Sequence, residues 1–140
     1  MANEHTLMTQ KTFPISMTVA VGTGIEKGAV LKQTDPNTAA LADGTNDVVA
    51  GILYTEKIAN DGNITAAVLT GPGDELRAIA SGSITQGDPL GTVATFPNYL
   101  RSLKGVEDLS GTVILGFSKE TATAGETFKY VLQITPHPWQ

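Results

Sequence analysis

Only two histidines occur in this 140-residue chain, His5 and His137, and each stands near a chain end. A general base must be held within hydrogen-bond reach of the atom it deprotonates, and frayed ends seldom hold a side chain that firmly. Both are therefore read as exposed tail residues. The carboxylates raise a second possibility, metal binding. Asp43-Gly-Thr-Asn-Asp47 is a short acidic loop, yet it lacks the alternating oxygen ligands and closing bidentate glutamate of a calcium loop. Asp74-Glu75 and Glu107-Asp108 are adjacent pairs, whose side chains point apart on extended backbone. Solvated turn carboxylates account for all three. The two acids of a glycosidase can lie far apart in sequence, but nothing here nominates such a pair.

Phosphate chemistry and nucleophilic catalysis fare no better. Gly71-Pro-Gly73 and Gly82-Ser-Ile-Thr-Gln-Gly87 match neither dinucleotide-binding nor P-loop spacing, and no helix follows to cradle a phosphate. Six serines provide no G-x-S-x-G elbow. With no cysteine there is no disulfide, thiolate zinc site or Cys nucleophile, which fits a protein made in a cytoplasm without oxidative folding. The expectation is a protein that is not an enzyme, with no catalytic residues, no metal and no cofactor.

Charge narrows the partners. Nine Lys and Arg against fourteen Asp and Glu give a net charge of −5, which cannot supply the phosphate-neutralising stripe of a nucleic-acid binder. The apolar runs are too short to span a bilayer, and Met1-Ala-Asn-Glu-His-Thr lacks the basic and apolar regions of a signal peptide. Neither nucleic acid nor membrane is expected as a partner.

The elements that would position any surface are strands. Thirty-eight residues are Thr, Val or Ile, types that favour pleated, half-buried surfaces. Between successive Gly or Pro residues the longest interior stretches are Ile52–Asp61 and Glu126–Thr135, ten residues each, too short for more than one or two helical pieces. The fold class is mainly β: a compact barrel- or sandwich-like body of short antiparallel strands. Ala2–Thr12 is polar and aperiodic, and is read within 1–12 as a flexible, extended N-terminal arm. Phe13-Pro-Ile15-Ser-Met17-Thr-Val19-Ala-Val21 alternates strictly, one face for a core, with Pro14 marking a strand start or a sheet edge. Further strands are expected at Ala29–Gln33, Thr38–Ala42, Val48–Lys57, Ile64–Thr70, Glu75–Ser81, Pro89–Phe96, Thr112–Lys119 and Glu126–Thr135. Ile64–Thr70 and Glu75–Ser81 are read as adjacent antiparallel strands. One domain, 13–135, carries them, followed by a Pro/Trp tail at 136–140.

An internal echo runs through that domain. Ile25-Glu-Lys-Gly28-Ala-Val-Leu31 and Ile84-Thr-Gln-Gly87-Asp-Pro-Leu90 share I-x-x-G-x-x-L. Gly51-Ile-Leu-Tyr-Thr-Glu56 resembles Gly116-Phe-Ser-Lys-Glu120, and Gly62 and Gly125 each stand six residues before a Val-Leu pair. These matches are offset by 59, 65 and 63 residues. A duplicated unit of about 60 residues, with pseudo-repeats near 24–81 and 82–135, gives such a pattern.

What remains for function is surface. Phe96-Pro-Asn-Tyr99-Leu-Arg101 places two aromatics and an arginine on a Pro-broken connection between the halves. They serve either as interface anchors or as a cap on the core. Trp139, the single tryptophan, ends the stiff Thr135-Pro-His-Pro tail, where packing on a neighbouring subunit or partner suits it.

Taken together, Gly24 to Pro136, about four-fifths of the chain, resembles the small capsid decoration proteins of tailed bacteriophages, also called cement or head-stabilisation proteins. The resemblance rests on the two I-x-x-G-x-x-L segments, Ala42-Asp43-Gly44-Thr45 and Val49-Ala-Gly51-Ile-Leu. The second half adds Leu115-Gly116-Phe, Gly125 and Val131-Leu132. It implies a non-enzymatic homotrimer on the virion, at the capsid exterior, bound to the major capsid protein near three-fold or quasi-three-fold positions. There it would stabilise the head against the pressure of packaged DNA. An N-terminal arm commonly engages the shell in such proteins. The candidate capsid or subunit contacts are thus Phe13, Ile15 and Met17 with Phe96, Tyr99, Arg101 and Trp139. A β-sandwich adhesion or carbohydrate-binding module would share the Thr-rich strands, although only eight aromatics are present to stack on sugars. A small hydrolase or nucleotide-handling trimer is a third class, with no motif to support it.

Overall fold

Frequent turn residues cut the chain into eleven strands in the computed structural model, which describes residues 4–45, 47–94, 98–105 and 113–136. They are β1 (Thr6–Thr9), β2 (Ile15–Thr18), β3 (Val30–Asp35), β4 (Thr38–Leu41), β5 (Val49–Leu53) and β6 (Thr65–Leu69). Then follow β7 (Glu75–Ala80), β8 (Pro89–Thr92), β9 (Tyr99–Ser102), β10 (Val113–Ser118) and β11 (Thr127–Pro136). No helix occurs among the described residues.

The strands close into two five-stranded barrels, as the β-barrel expectation required. The first runs β2-β4-β3-β5-β6, with β6 returning to β2. The second runs β7-β11-β10-β8-β9 and closes through a β7–β9 pair. Closure removes the free edges on which strands of other chains pair. In each barrel the pair β2–β4 or β7–β9 is parallel and the other four are antiparallel. The two barrels therefore share one topology, strand for strand, and this is the duplication heard in the sequence. The expected bounds of 24–81 and 82–135 are corrected: each copy begins one strand ahead of its I-x-x-G-x-x-L turn, so β2 belongs to the first unit and β7 to the second.

Several of the echoed residues are glycines whose backbone angle or crowding disfavours a side chain. Gly28 and Gly87 turn the chain with φ of 91° and 92°, a region that costs other residues energy. Their amides donate to Leu53 O and Ser118 O at 2.9 and 2.8 Å, while Ile25 and Ile84 form matching isolated bridges to Lys57 and Ala122. Gly51 and Gly116 lie where neighbouring backbone crowds in. A Cβ there would sit 2.2 Å from Leu69 O or 2.0 Å from Val131 O.

Strand β5, Val-Ala-Gly-Ile-Leu, is buried along its whole length. A register shift against β3 turns Val49 and Ile52 to one core and Ala50 and Leu53 to the other, as a bulge does to the phase of a strand. Ala50, Leu53, Leu31, Val68 and Met17 fill the first barrel. Val49, Ile52, Val30 and Leu69 instead join the core of the second barrel, around Leu76, Leu100, Leu115, Phe128 and Leu132. One continuous apolar cluster thus welds the barrels, since area removed from water stabilises at ~25 cal/mol per Å².

Several expectations change. Residues 6–9 of the expected flexible arm form β1, paired antiparallel to β7. Strands β6 and β7 are not neighbours; the segment between them carries the chain from one barrel into the other. Tyr99 and Arg101 lie not on a connection between halves but in β9, part of the wall of the second barrel. Their four-residue strand is too short for its alternation to stand out.

Candidate functional site

His5 is buried, 5% exposed, and not the free tail residue its position suggested. Its Nε2 lies 2.7 Å from the Asn98 backbone carbonyl, and its Nδ1 lies 2.6 Å from the Tyr130 hydroxyl. A carbonyl only accepts, so Nε2 carries the proton and donates, leaving Nδ1 to accept from Tyr130. Burial lowers the imidazole pKa to about 4, against a smaller opposing effect of the Asn98 bond. Burial likewise raises the Tyr130 phenol. The same Asn98 accepts the Val30 amide through its side chain at 3.0 Å, and the His5 amide donates to Gly28 O at 2.8 Å. His5 thus ties the start of the described chain to the interior of the second barrel.

Asp74, expected as a solvated turn carboxylate, is fully buried. It accepts the Lys11 amide at 2.5 Å, the Thr12 amide at 3.0 Å and the Thr12 hydroxyl. Residues 4–12 are thereby a strap, fixed by His5 at one end and by Asp74 at the other. In the 43–47 loop, Asp47 accepts the amides of Asp43 and Gly44 at 3.0 and 2.8 Å, and Asp43 pairs with Lys32 at 2.6 Å. Those carboxylates serve local turn geometry. Among the described residues no group of three or more His, Asp or Glu could hold a metal. Glu107, Asp108 and His137 lie outside the described residues.

The feature left over is apolar surface, and it is one-sided. Every exposed large apolar side chain among the described residues lies between positions 8 and 64: Met8, Phe13, Ile15, Val21, Val48, Ile58 and Ile64. Among the described residues the five strands of the second barrel and their loops show none, Met8 standing on β1 beside β7. At one end of the first barrel, Val21, Ile58 and Ile64 stand on two loops joined by a buried lysine. Lys57 Nζ donates to Ile58 O at 2.7 Å, Val21 O at 3.4 Å and Asp61 Oδ1 at 3.0 Å. The Asn60 amide donates to Val21 O, and the Val19 amide to Ile64 O. Hydrogen bonds to Asn63 and Lys57 hold the Asp61 carboxyl below its ordinary range. Matching positions of the second barrel are polar. Thr123 follows the bridged Ala122 as Ile58 follows Lys57, and Glu126 O accepts the Ala80 amide as Ile64 O accepts Val19.

No family model matches the chain, and no curated protein matches it in sequence. In three dimensions it is similar to the head fiber gp8.5 N base of bacteriophage phi29, seen in a crystal structure. The TM-score is 0.53 with 19% sequence identity, over 88% of this chain and 97% of that one. The likeness is one of fold.

Of the expected contact residues, Phe13 is 92% exposed and Ile15 is 46% exposed. Phe13 and Pro14 line a shallow groove with Gln10, Lys11, Thr12 and Tyr54. Met17 lies on the same face of β2 as Ile15 but is buried in the first barrel, where it packs with Leu31, Leu53 and Val68. Tyr99 and Arg101 are half-buried in β9. Phe96 and Trp139 lie outside the described residues. Sequence reasoning missed Val21, Ile58 and Ile64. Their signal was present: apolar residues beside Gly22-Thr-Gly24 and Asn60-Asp-Gly-Asn63, turns with no reason of their own to carry them.

Proposed function

We propose that this protein is a structural component of a bacteriophage virion. In this reading it is seated on the capsid exterior as a homotrimer, where it binds the major capsid protein and holds the head against internal DNA pressure. The observation that carries the reading is the paired-barrel fold, similar nearly end to end to the base of a phage head fiber. The decoration-protein resemblance of residues 24–136 points the same way. Closed barrels with few free edges suit a protein that must stay soluble while displayed in many copies. A trimer that grips several shell subunits must be detached at several places at once, so individually weak contacts combine.

The one-sided apolar surface supports an orientation. Among the described residues the exposed Val21, Ile58 and Ile64 of the first barrel have no exposed apolar counterpart in the second, and an apolar patch kept on one copy supports a contact there. In this reading the first barrel meets the shell and the second faces outward.

Mixing purified protein with undecorated heads and imaging them tests the reading, with oligomeric mass taken by light scattering. Occupied three-fold or quasi-three-fold positions and a trimeric mass on or off the head are expected. A variant carrying Ile58→Ser and Ile64→Ser should keep its sheet content and lose occupancy. Heads left bare by the unaltered protein, or decoration undisturbed by those substitutions, would sink the function or the orientation respectively.

A further inference from the structure

The strap holding the two barrels is fastened by a group that can change charge. Its first strand, β1, buries little: Thr6, Met8 and Thr9 are exposed and Leu7 is half-buried. It pairs with β7 only at Thr6, Leu7 and Thr9, with an irregularity between the last two. Its buried anchor is the His5 ring, both of whose nitrogens are committed in the neutral form. A proton added at Nδ1 would meet the Tyr130 hydroxyl hydrogen, or would turn that hydroxyl round to accept and take its hydrogen away from the acceptor it has in Nδ1. The pocket thus accepts one protonation state and rejects the other.

Leaving this pocket does not open a barrel. Strands β1 and β9 share one edge of β7, β1 at Glu75–Arg77 and β9 at Ile79–Ala80, while β11 covers the other edge. The barrel closes through β9 and β11 without β1. At the far end Asp74 grips Lys11 and Thr12, which leaves residues 4–9 to swing about Gln10.

We propose that His5 is an acid-operated latch: on taking up a proton it leaves the Tyr130–Asn98 pocket and β1 detaches from β7, while both barrels stay closed. The edge of β7 at Glu75–Arg77 then becomes free to pair with another strand. The pocket belongs to the second copy alone. Tyr130 pairs with Leu76 where the first barrel pairs Val68 with Ile15, so the first barrel has no hydroxyl at that position. Titratable or charged groups surround it on each packed element. They are Tyr130 on β11, Glu26 and Lys27 on the turn before β3, Tyr54 after β5, Glu4 beside it, and Tyr99 and Arg101 beyond Asn98. Glu75 and Arg77 lie opposite β1. Burial and a hydrogen bond to Glu26 raise the Glu4 carboxyl, so a Glu4→Gln background separates its titration from that of His5.

The chain has no native cysteine, so Thr6→Cys in the full-length protein carries a single nitroxide on exposed β1. Its mobility is followed from pH 7.5 to 4 beside far-ultraviolet circular dichroism. The release constant is expected to rise by up to about tenfold per pH unit between the ordinary imidazole pKa and that of the buried ring, with the dichroism unchanged. The transition should persist with Glu4→Gln and vanish with His5→Gln. Tyr130→Phe, which removes the bond that favours the neutral ring, should move it up by about one pH unit. A label immobile down to pH 4, loosening only together with loss of sheet signal, or the same transition in His5→Gln would overturn the latch. If His5→Gln does not fold, an unmoved midpoint in Tyr130→Phe does so.

Discussion

The Nδ1 of His5 and the hydroxyl of Tyr130 meet 2.6 Å apart in the interior although 125 positions separate them. Their rings stand edge to face at 80°, with centroids 5.4 Å apart. The first described residues of the chain and its last strand are thus closed onto each other through one neutral hydrogen bond.

That bond gives stability a direction with pH. The imidazole pKa is lowered from its model-peptide value of 6.5 to about 4 in the folded protein, so the open or unfolded chain binds the proton more tightly. Stability is complete above pH 6.5 and is lost as pH falls toward 4, by about 3 kcal/mol over that window. Urea titrations at pH 7.5 and 4.5 should show the midpoint falling in the wild type. The fall should be smaller in His5→Gln, which starts lower because Gln fits the pocket less well. Equal acid sensitivity in both proteins would refute the assignment.

The strap's other end predicts an effect that is pH-independent near neutrality. Asp74→Ala removes a fully buried acceptor and leaves the part-buried Lys11 and Thr12 amides without it, at a cost of roughly 1–3 kcal/mol. Asp74→Asn keeps one acceptor oxygen and should lose less. Chemical denaturation of the two variants orders them; if the alanine variant is as stable as wild type, the strap is not fastened there.

The duplication was legible because it is written in glycines, and glycine positions are fixed by hard sterics rather than by preference. Gly28, Gly51, Gly87 and Gly116 mark the same turn and the same close approach in each copy, so spacing alone aligned them. The His5 pocket was not legible, because nothing local distinguishes a histidine that will meet Tyr130 from one that will fray. Barrel closure was hidden too, since it depends on the parallel pairs β2–β4 and β7–β9, one of them a single register position at Thr18 and Thr38. The alternation of Phe13–Val21 pointed to the core at Met17 and Val19. It failed at Phe13, Ile15 and Val21, which are exposed: Phe13 and Val21 lie outside β2, and Ile15 is its first residue.

Glycine sterics give a contrast that separates close approach from mere turn preference. Gly51→Ala and Gly116→Ala each drive a methyl into a backbone carbonyl at about 2 Å, and should cost 2 kcal/mol or more, ~1–3 being typical of overpacking where side chains can yield. Gly82→Ala meets nothing within 4 Å and should stay within roughly 0.5 kcal/mol of wild type. Thermal melts of the three proteins decide it, and a tolerated alanine at Gly51 would contradict the close approach of the Leu69 carbonyl to β5.

The buried lysine offers the sharpest test of the surface assigned to binding. Lys57 Nζ holds Val21 O, Ile58 O and Asp61 together, so it shapes the patch while touching no partner itself. Lys57→Met keeps the buried stem and removes the donors, which should loosen the loops at 20–24 and 57–63 and leave the barrels folded. Head occupancy should then fall even though Val21, Ile58 and Ile64 are all still present, and amide exchange should quicken at Asn60 and Val19 but not in the second barrel. Occupancy equal to wild type would mean that the apolar side chains act without a fixed arrangement. In that event a partner adapting to them, rather than a preformed patch, would carry the recognition.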